Sequence, residues 1–377
     1  MAHIYLDYNA STPIAPEAVA AMQPFLSGAY GNPSSGHWAG RPARDAVEAA
    51  RGQVAALLGC SSDEVFFTSG GSEANNHALK GIAFALRDKG DHIVTSTIEH
   101  PATLVPCEHL AKLGYTITHV PVDRFGQVDP DDVRRALTPR TILVSIMHAN
   151  NEVGTIEPIE EISRIAHERG VLLHTDAAQS AGKIRTKVDE LGVDLLSIAG
   201  HKLYAPKGVG ALYIRRGTPI EPLIHGAGHE AGRRAGTESA LMTAALGAAA
   251  ELAADLTPMT RIRELRDDFW RQLEAALGDR VVLNGHPEQR LPNTLNVSFV
   301  GRVGAEVLAG LDGVAASTGS ACHSGLIELS PVLRAMGTSP EAGMGAVRFS
   351  LGRGTTDHDI SAVVAGLAHS VGEQSLP

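Results

Sequence analysis

Cysteine is scarce: Cys60, Cys107 and Cys322 are the only three in 377 residues, and no two form a CxxC pair. That pattern gives neither a disulfide framework nor a zinc ribbon, and it fits a reducing compartment. Aromatic residues make up 4% of the chain, too few for a base-stacking platform. Positive charge is in deficit, with 32 Lys+Arg against 42 Asp+Glu and a formal net charge of −10. Nucleic-acid and anionic-membrane surfaces need clustered Lys and Arg, so neither partner is expected. Long apolar runs are missing as well. The greasiest stretch, 241–256, is Ala-rich, contains Glu251 and Asp255, and is too short to span a bilayer. The first residues hold no basic segment followed by an apolar one, so no secretory leader is expected and the protein reads as cytoplasmic. Charge blocks, triplet periods and heptads are absent, which excludes disorder, collagen and coiled coil.

What remains is ordinary globular composition, 44% apolar, with enough chain for two domains. Apolar runs at 64–68, 92–96, 116–120, 141–147, 171–175, 195–198 and 210–214 read as strands. Helical periodicity fills 43–58, 73–87, 101–113, 130–136 and 159–169 between them. Short apolar strands separated by amphipathic helices predict βαβ units and a mostly parallel sheet covered on both faces. The character changes after a helix near 241–254. A charged helix at 261–276, strands at 290–299 and 348–351, and helices at 305–311 and 357–371 predict a smaller α+β unit, which the N-terminal arm would complete.

Three constellations carry candidate chemistry. An apolar strand enters Ser69-Gly70-Gly71-Ser72-Glu73 and then a helix. Free amides and the helix dipole there favour an anion, and a strand-to-helix turn capped by Ser72 is the plainer alternative. Asp176 lies at the end of a buried strand, where an open α/β sheet faces its ligand crevice. Its carboxylate could keep a cofactor ring nitrogen protonated, or simply cap a helix. Lys202 follows a hydrophobic strand among small residues, where desolvation would make its amine nucleophilic; a solvated turn lysine is the alternative, which suits Lys207.

The order and content of these segments resemble one family. The match rests on Tyr5-Leu6-Asp7-Tyr8-Asn9, Gly31-Asn32-Pro33, Thr68 to Asn75, Glu99-His100-Pro101, His148 to Gly154, Asp176-Ala177-Ala178-Gln179 and Gly200-His201-Lys202. It continues through Arg234-Ala235-Gly236-Thr237, Gly319-Ser320-Ala321-Cys322 and Arg348 to Arg353. From end to end the chain resembles cysteine desulfurases of the NifS/IscS type, within the class V, fold-type I pyridoxal-phosphate enzymes. The resemblance implies a large cofactor domain over 15–255, with a mostly parallel seven-stranded sheet flanked by helices. A small α+β domain, 1–14 with 256–377, would carry the reactive cysteine.

Residue by residue, the resemblance implies Lys202 as the Schiff-base lysine and Asp176 as partner of the pyridinium nitrogen. His100 would stack on the ring and move protons. Gln179 would meet the ring hydroxyl, with Asn151 nearby. Gly71, Ser72 and His201 would hold the phosphate, joined by Thr237 from the second subunit of a homodimer. Arg348, helped by Asn32, would take the carboxylate of L-cysteine, for which a guanidinium fork is well suited. Cys322 would receive the sulfur as a persulfide and pass it to an acceptor or scaffold protein for iron–sulfur clusters or thiolation. The 26 residues from Cys322 to Arg348 match the longer-loop branch, which delivers sulfur directly to scaffolds.

Two positions depart from the family pattern. Ala199 replaces the usual phosphate-binding serine, so Ser197 or water would have to substitute. His323 follows Cys322 where threonine is usual, and Ala-Cys-His-Ser resembles selenocysteine lyases, which makes L-selenocysteine a competing substrate and a selenocysteine lyase the nearest alternative. A class V aminotransferase, which needs no Cys322, is the other. Cys60 and Cys107 read as structural. The pattern His229-Glu230 lacks the second histidine of HExxH, and no Cys/His spacing suits zinc, so no metal is expected.

Overall fold

A computed structural model describes residues 3–318, 322–323, 326–327 and 329–372, without the side chains of 322, 323, 326, 327 and 372. Seven strands form the large sheet, in spatial order Val65–Thr68, Gly210–Ile214, Leu195–Ala199, Leu172–Asp176, Thr141–Ser145, His92–Ser96 and Thr116–Val120. Only Gly210–Ile214 runs against its neighbours; the other pairings are parallel. The sheet is therefore the one the sequence predicts.

Its inner strands carry apolar residues on adjacent positions because both faces are covered. Adjacent residues of one strand point to opposite faces and join different cores. Phe66, Ile93, Leu143, Leu195 and Leu212 pack with Ala78, Leu79 and Ile82 of the helix Gly71–Ala85. Their chain neighbours Phe67, Val94, Val144, Leu196 and Ala211 pack with Val54 and Leu58 of Arg41–Leu58, Ile162 of Ile159–His167 and Leu246 of Ala240–Ala254. Among the described residues no single helix is long and apolar enough to cross a membrane.

A second core gathers Leu6, Leu265, Phe269, Leu295, Val297, Phe299, Val347, Phe349 and Leu367. Its antiparallel sheet has the order Ser317–Thr318, Ala346–Ser350, Thr294–Phe299, Val281–Asn284. The charged helix runs Thr257–Leu277, longer than its periodicity suggested, with a proline in its first turn, where the missing N–H donor has no intrahelical acceptor to lose. The strand expected from 290 starts only at Thr294, since Pro292 cannot donate to a ladder. The N-terminal arm pairs Ile4–Tyr5 with Val314–Ala315, and Asp7 bridges Ser350. From there it runs over the carboxyl ends of the large sheet's strands.

Candidate active site

The carboxyl ends of the parallel strands open into a cavity of about 340 Å³. Its walls include Gly71, Ser72, His100, Asn151, Asp176, Gln179, His201, Lys202 and Arg348, nine of the residues singled out in the sequence. The topology explains the convergence. Helices Gly71–Ala85 and Pro101–Lys112 begin where strands Val65–Thr68 and His92–Ser96 end, and Asp176 closes the strand Leu172–Asp176.

Helix Gly71–Ala85 starts two residues earlier than the sequence suggested. Its cap is Gly70, with φ 148°, and no side chain caps it, so Ser72 lies in the first turn and is not the N-cap. The amides of Gly71 and Ser72 have no intrahelical acceptor and are left for an anion. A Cβ at position 71 would come within 3.2 Å of Ala199 Cβ, so small residues keep this end of the cavity open. Ser197 does not take over from the missing serine. It sits one register deeper in the strand, fully buried, with its Oγ 2.9 Å from His174 Nε2.

Asp176 receives hydrogen bonds on both oxygens, from Asn75 Nδ2 at 2.6 Å and the amide of Ala178 at 2.9 Å. His100 caps the helix Pro101–Lys112, its Nδ1 accepting from the amide of Ala102 at 3.1 Å. Burial lowers its pKa, Lys202 adds to that, and Asp176 opposes it. Burial, aided by Lys202 and Lys207, pushes His201 down to about 4, leaving a neutral imidazole.

Lys202 ends the short turn Gly200–Lys202 and donates to the carbonyls of Asn9 at 2.5 Å and Ala10 at 2.9 Å. Burial, with Arg348 second, brings its amine from 10.5 down to about 8. Lys207 is exposed. The arm clamps this turn. The amide and hydroxyl of Thr12 donate to His201 O, and Thr12 Oγ1 accepts from the amide of Tyr204, held at φ 70°. Arg348 projects from the small sheet, with Nη1 donating to Asn151 O at 3.0 Å and Nη2 to Asp7 Oδ1 at 2.8 Å.

The fold has counterparts among known proteins. Residues 4–363 match the family "Aminotransferase class-V". The chain belongs to that family. It is 54% identical over 362 residues to "Cysteine desulfurase IscS" of Dictyoglomus turgidum, covering 95% of this chain and 92% of that one. A solved "NIFS-like protein" superposes with a TM-score of 0.92 at 36% identity, covering 98% of this chain and 99% of the other. A structure titled "SspA in complex with cysteine" gives 0.83 at 36% identity, covering 92% and 98%.

Class V membership implies dependence on pyridoxal phosphate, and the residues present fit that group. An unpaired helix N-terminus, a half-buried amine near 8 and a doubly hydrogen-bonded carboxylate meet the needs of its phosphate, aldehyde and ring nitrogen in turn.

Two expected residues lie apart from the cavity of this class V chain. Asn32 is exposed and its side chain accepts from the amide of Ser34, while Thr237 lines a separate surface pocket with Arg234 and Ser239. Cys322 and His323 form a two-residue strand opposite Leu326–Ile327. Their side chains, and residues 319–321, 324–325 and 328, lie outside the described part. The other two thiols are poor nucleophiles, because burial pushes Cys60 and Cys107 up to about 12.

Sequence reasoning gave no role to Asn9, Asn75 or Lys183. Asn9 and Asn75 lie inside matched motifs, which was the available signal. Lys183 follows Gln179 by four residues in a Gly-containing turn and carries no such signal.

Proposed function

We infer that the chain is a pyridoxal-phosphate-dependent cysteine desulfurase, converting L-cysteine to L-alanine while Cys322 becomes a persulfide. The single observation that carries the reading is the convergence of Lys202, Asp176, Gln179 and Arg348 on one cavity, in a chain 54% identical to a curated cysteine desulfurase. The named relatives favour this over a selenocysteine lyase or an aminotransferase.

Lys202 would hold the cofactor, Asp176 its ring nitrogen, and the amides of Gly71 and Ser72 with His201 its phosphate. Bound there, the cofactor supplies an electron sink for the substrate's α-carbon. Lys202 would take the α-proton, since an amine brought down to about 8 offers at physiological pH an uncharged fraction that an ordinary lysine lacks. Arg348 orients the substrate carboxylate. Its Nε is buried without an acceptor among the described residues, an unmet donor that a carboxylate satisfies. The Cys322 thiolate attacks the substrate sulfur. The Cβ–S bond breaks, an S–S bond forms, and the carbon skeleton leaves as alanine after regaining protons. The persulfide then passes to an acceptor protein.

Thr237 completes the phosphate site only from a second copy, and a homodimer is therefore part of the proposal. Tyr30 and Trp38, 80% and 81% exposed on the segment that holds Asn32, supply apolar surface for that contact. The test is alanine formation from L-cysteine by the cofactor-loaded protein, beside Lys202→Ala. The reading requires turnover by the first and none by the second. Keto-acid formation without loss of sulfur would replace it with transamination.

A further inference from the structure

Beneath the cavity floor lies a buried lysine that the proposed chemistry does not use. Lys183 directs Nζ to Gln179 Oε1 at 2.9 Å and to Asn9 Oδ1 at 3.3 Å. Gln179 Nε2 donates to Asn9 O at 2.9 Å, and Lys202 Nζ donates to that same carbonyl at 2.5 Å. The four residues form one network that joins the N-terminal arm, the turn after Asp176 and the reactive lysine.

The turn is built to deliver Lys183. Gly182 has φ 73°, in the left-handed region, and a Cβ there would approach Ala253 Cβ to 2.7 Å. Asn9 is held from every side. Its Oδ1 accepts also from Asn293 Nδ2, its Nδ2 donates to Thr294 Oγ1, and its amide donates to Ser350 Oγ. Lys183 has no carboxylate partner among the described residues. Burial drives its amine well below the ordinary lysine value, and Lys202 and Arg348 push the same way. Charged or neutral, a lysine amine only donates to these two oxygens, because each is a carbonyl acceptor.

An amide side chain can flip and exchange donor for acceptor. We propose that Lys183 is a positioning residue that locks the Gln179 amide with its oxygen turned to the protein and one N–H, beyond that given to Asn9 O, left for the cavity. Gln179 can then serve only as a donor toward an oxygen of the bound ring. The inference rests on the pyridoxal-phosphate reading of the cavity.

The experiment titrates apoprotein with pyridoxal 5′-phosphate and records the dissociation constant and the visible absorption maximum of the complex. It uses the unaltered chain, Lys183→Met, Gln179→Met and the double variant. The expected result is binding weakened about tenfold in Lys183→Met, the loss of one buried hydrogen bond acting on the amide. The absorption maximum should shift in the same direction as in Gln179→Met. The double variant should bind no more weakly than Gln179→Met alone, because Lys183 acts through that amide. Full additivity, or an unshifted absorption maximum in Lys183→Met, would overturn the assignment. Should Lys183→Met fail to fold, Lys183→Gln keeps a neutral donor and is expected to retain the parental absorption; a spectrum like that of Gln179→Met would count against the proposal. Failure of the unaltered protein to bind the cofactor would overturn the underlying reading as well, and is thereby told apart from failure of the lysine's role.

Discussion

Arg348 and Asp7, 341 residues apart in the chain, form an ion pair with Nη2 2.8 Å from Oδ1. Asp7 Oδ1 also accepts from Ser317 Oγ at 2.8 Å, so one carboxylate oxygen holds both the cavity arginine and the edge strand beside it. Both side chains are largely buried, so the pair is better shielded than a surface bridge. Asp7→Asn is expected to cost about 2 kcal/mol in urea unfolding, the loss of a buried hydrogen bond to a charged group. It should raise KM for L-cysteine with kcat nearly unchanged, because Arg348 loses its alignment. An unchanged denaturation midpoint and KM would contradict this role.

Asp176 depends on Asn75, whose Nδ2 lies 2.6 Å from its Oδ2. Asn75→Ala is expected to lower kcat about tenfold, the equivalent of one charge-assisted hydrogen bond. Asp176→Asn, which removes the charge itself, should lower it about a hundredfold or more. Steady-state kinetics decide. Asn75→Ala with full kcat would show that Asp176 needs no such support.

The amine of Lys202 predicts a pH profile. Its value falls from 10.5 to about 8, so the reactive uncharged form gains population as pH rises through 8 and is nearly complete by 10. Apoprotein should capture pyridoxal phosphate at a rate that climbs with pH and levels off above a midpoint near 8, measured by stopped-flow absorbance. A rate still climbing steeply at pH 10 would mean that the lysine is not desolvated.

The loop that carries Thr237 is pinned by Glu230. Its carboxylate takes Arg51 in a fork, at 2.7 and 2.9 Å, and accepts from the amide of Phe67 at 2.8 Å. Glu230 does this from φ 48°, a strained position that the contacts must hold. Glu230→Gln strands a buried guanidinium and is expected to cost about 3 kcal/mol by chemical denaturation. A loss below about 1 kcal/mol would place the pair among weak surface bridges.

The large sheet was legible because a strand covered on both faces carries apolar residues on adjacent positions. Phe66 beside Phe67 and Ile93 beside Val94 announce it without any alternation. The strands Ile4–Tyr5 and Val281–Asn284 escaped notice, being short and lying at sheet edges where half the residues meet water. Lys202 and Asp176 stood out because chemistry had to place a charged group at the end of an apolar strand. Asn9, Asn75 and Lys183 did not, since their work is done through hydrogen bonds to residues as far as 341 positions away, which no local pattern records. The expectation for Ser197 failed for a related reason. Its partner His174 lies on the neighbouring strand, and only sheet register brings the two together.

The central claim is that sulfur leaves L-cysteine and arrives on Cys322. One turnover of the cofactor-loaded protein with L-cysteine, without reductant, followed by alanine quantification and peptide mass spectrometry, tests it directly. The account predicts one alanine per active site and one added sulfur on the Cys322 peptide, both lost in Cys322→Ser. Alanine formed in full by Cys322→Ser, or an unmodified Cys322 after turnover, would contradict it.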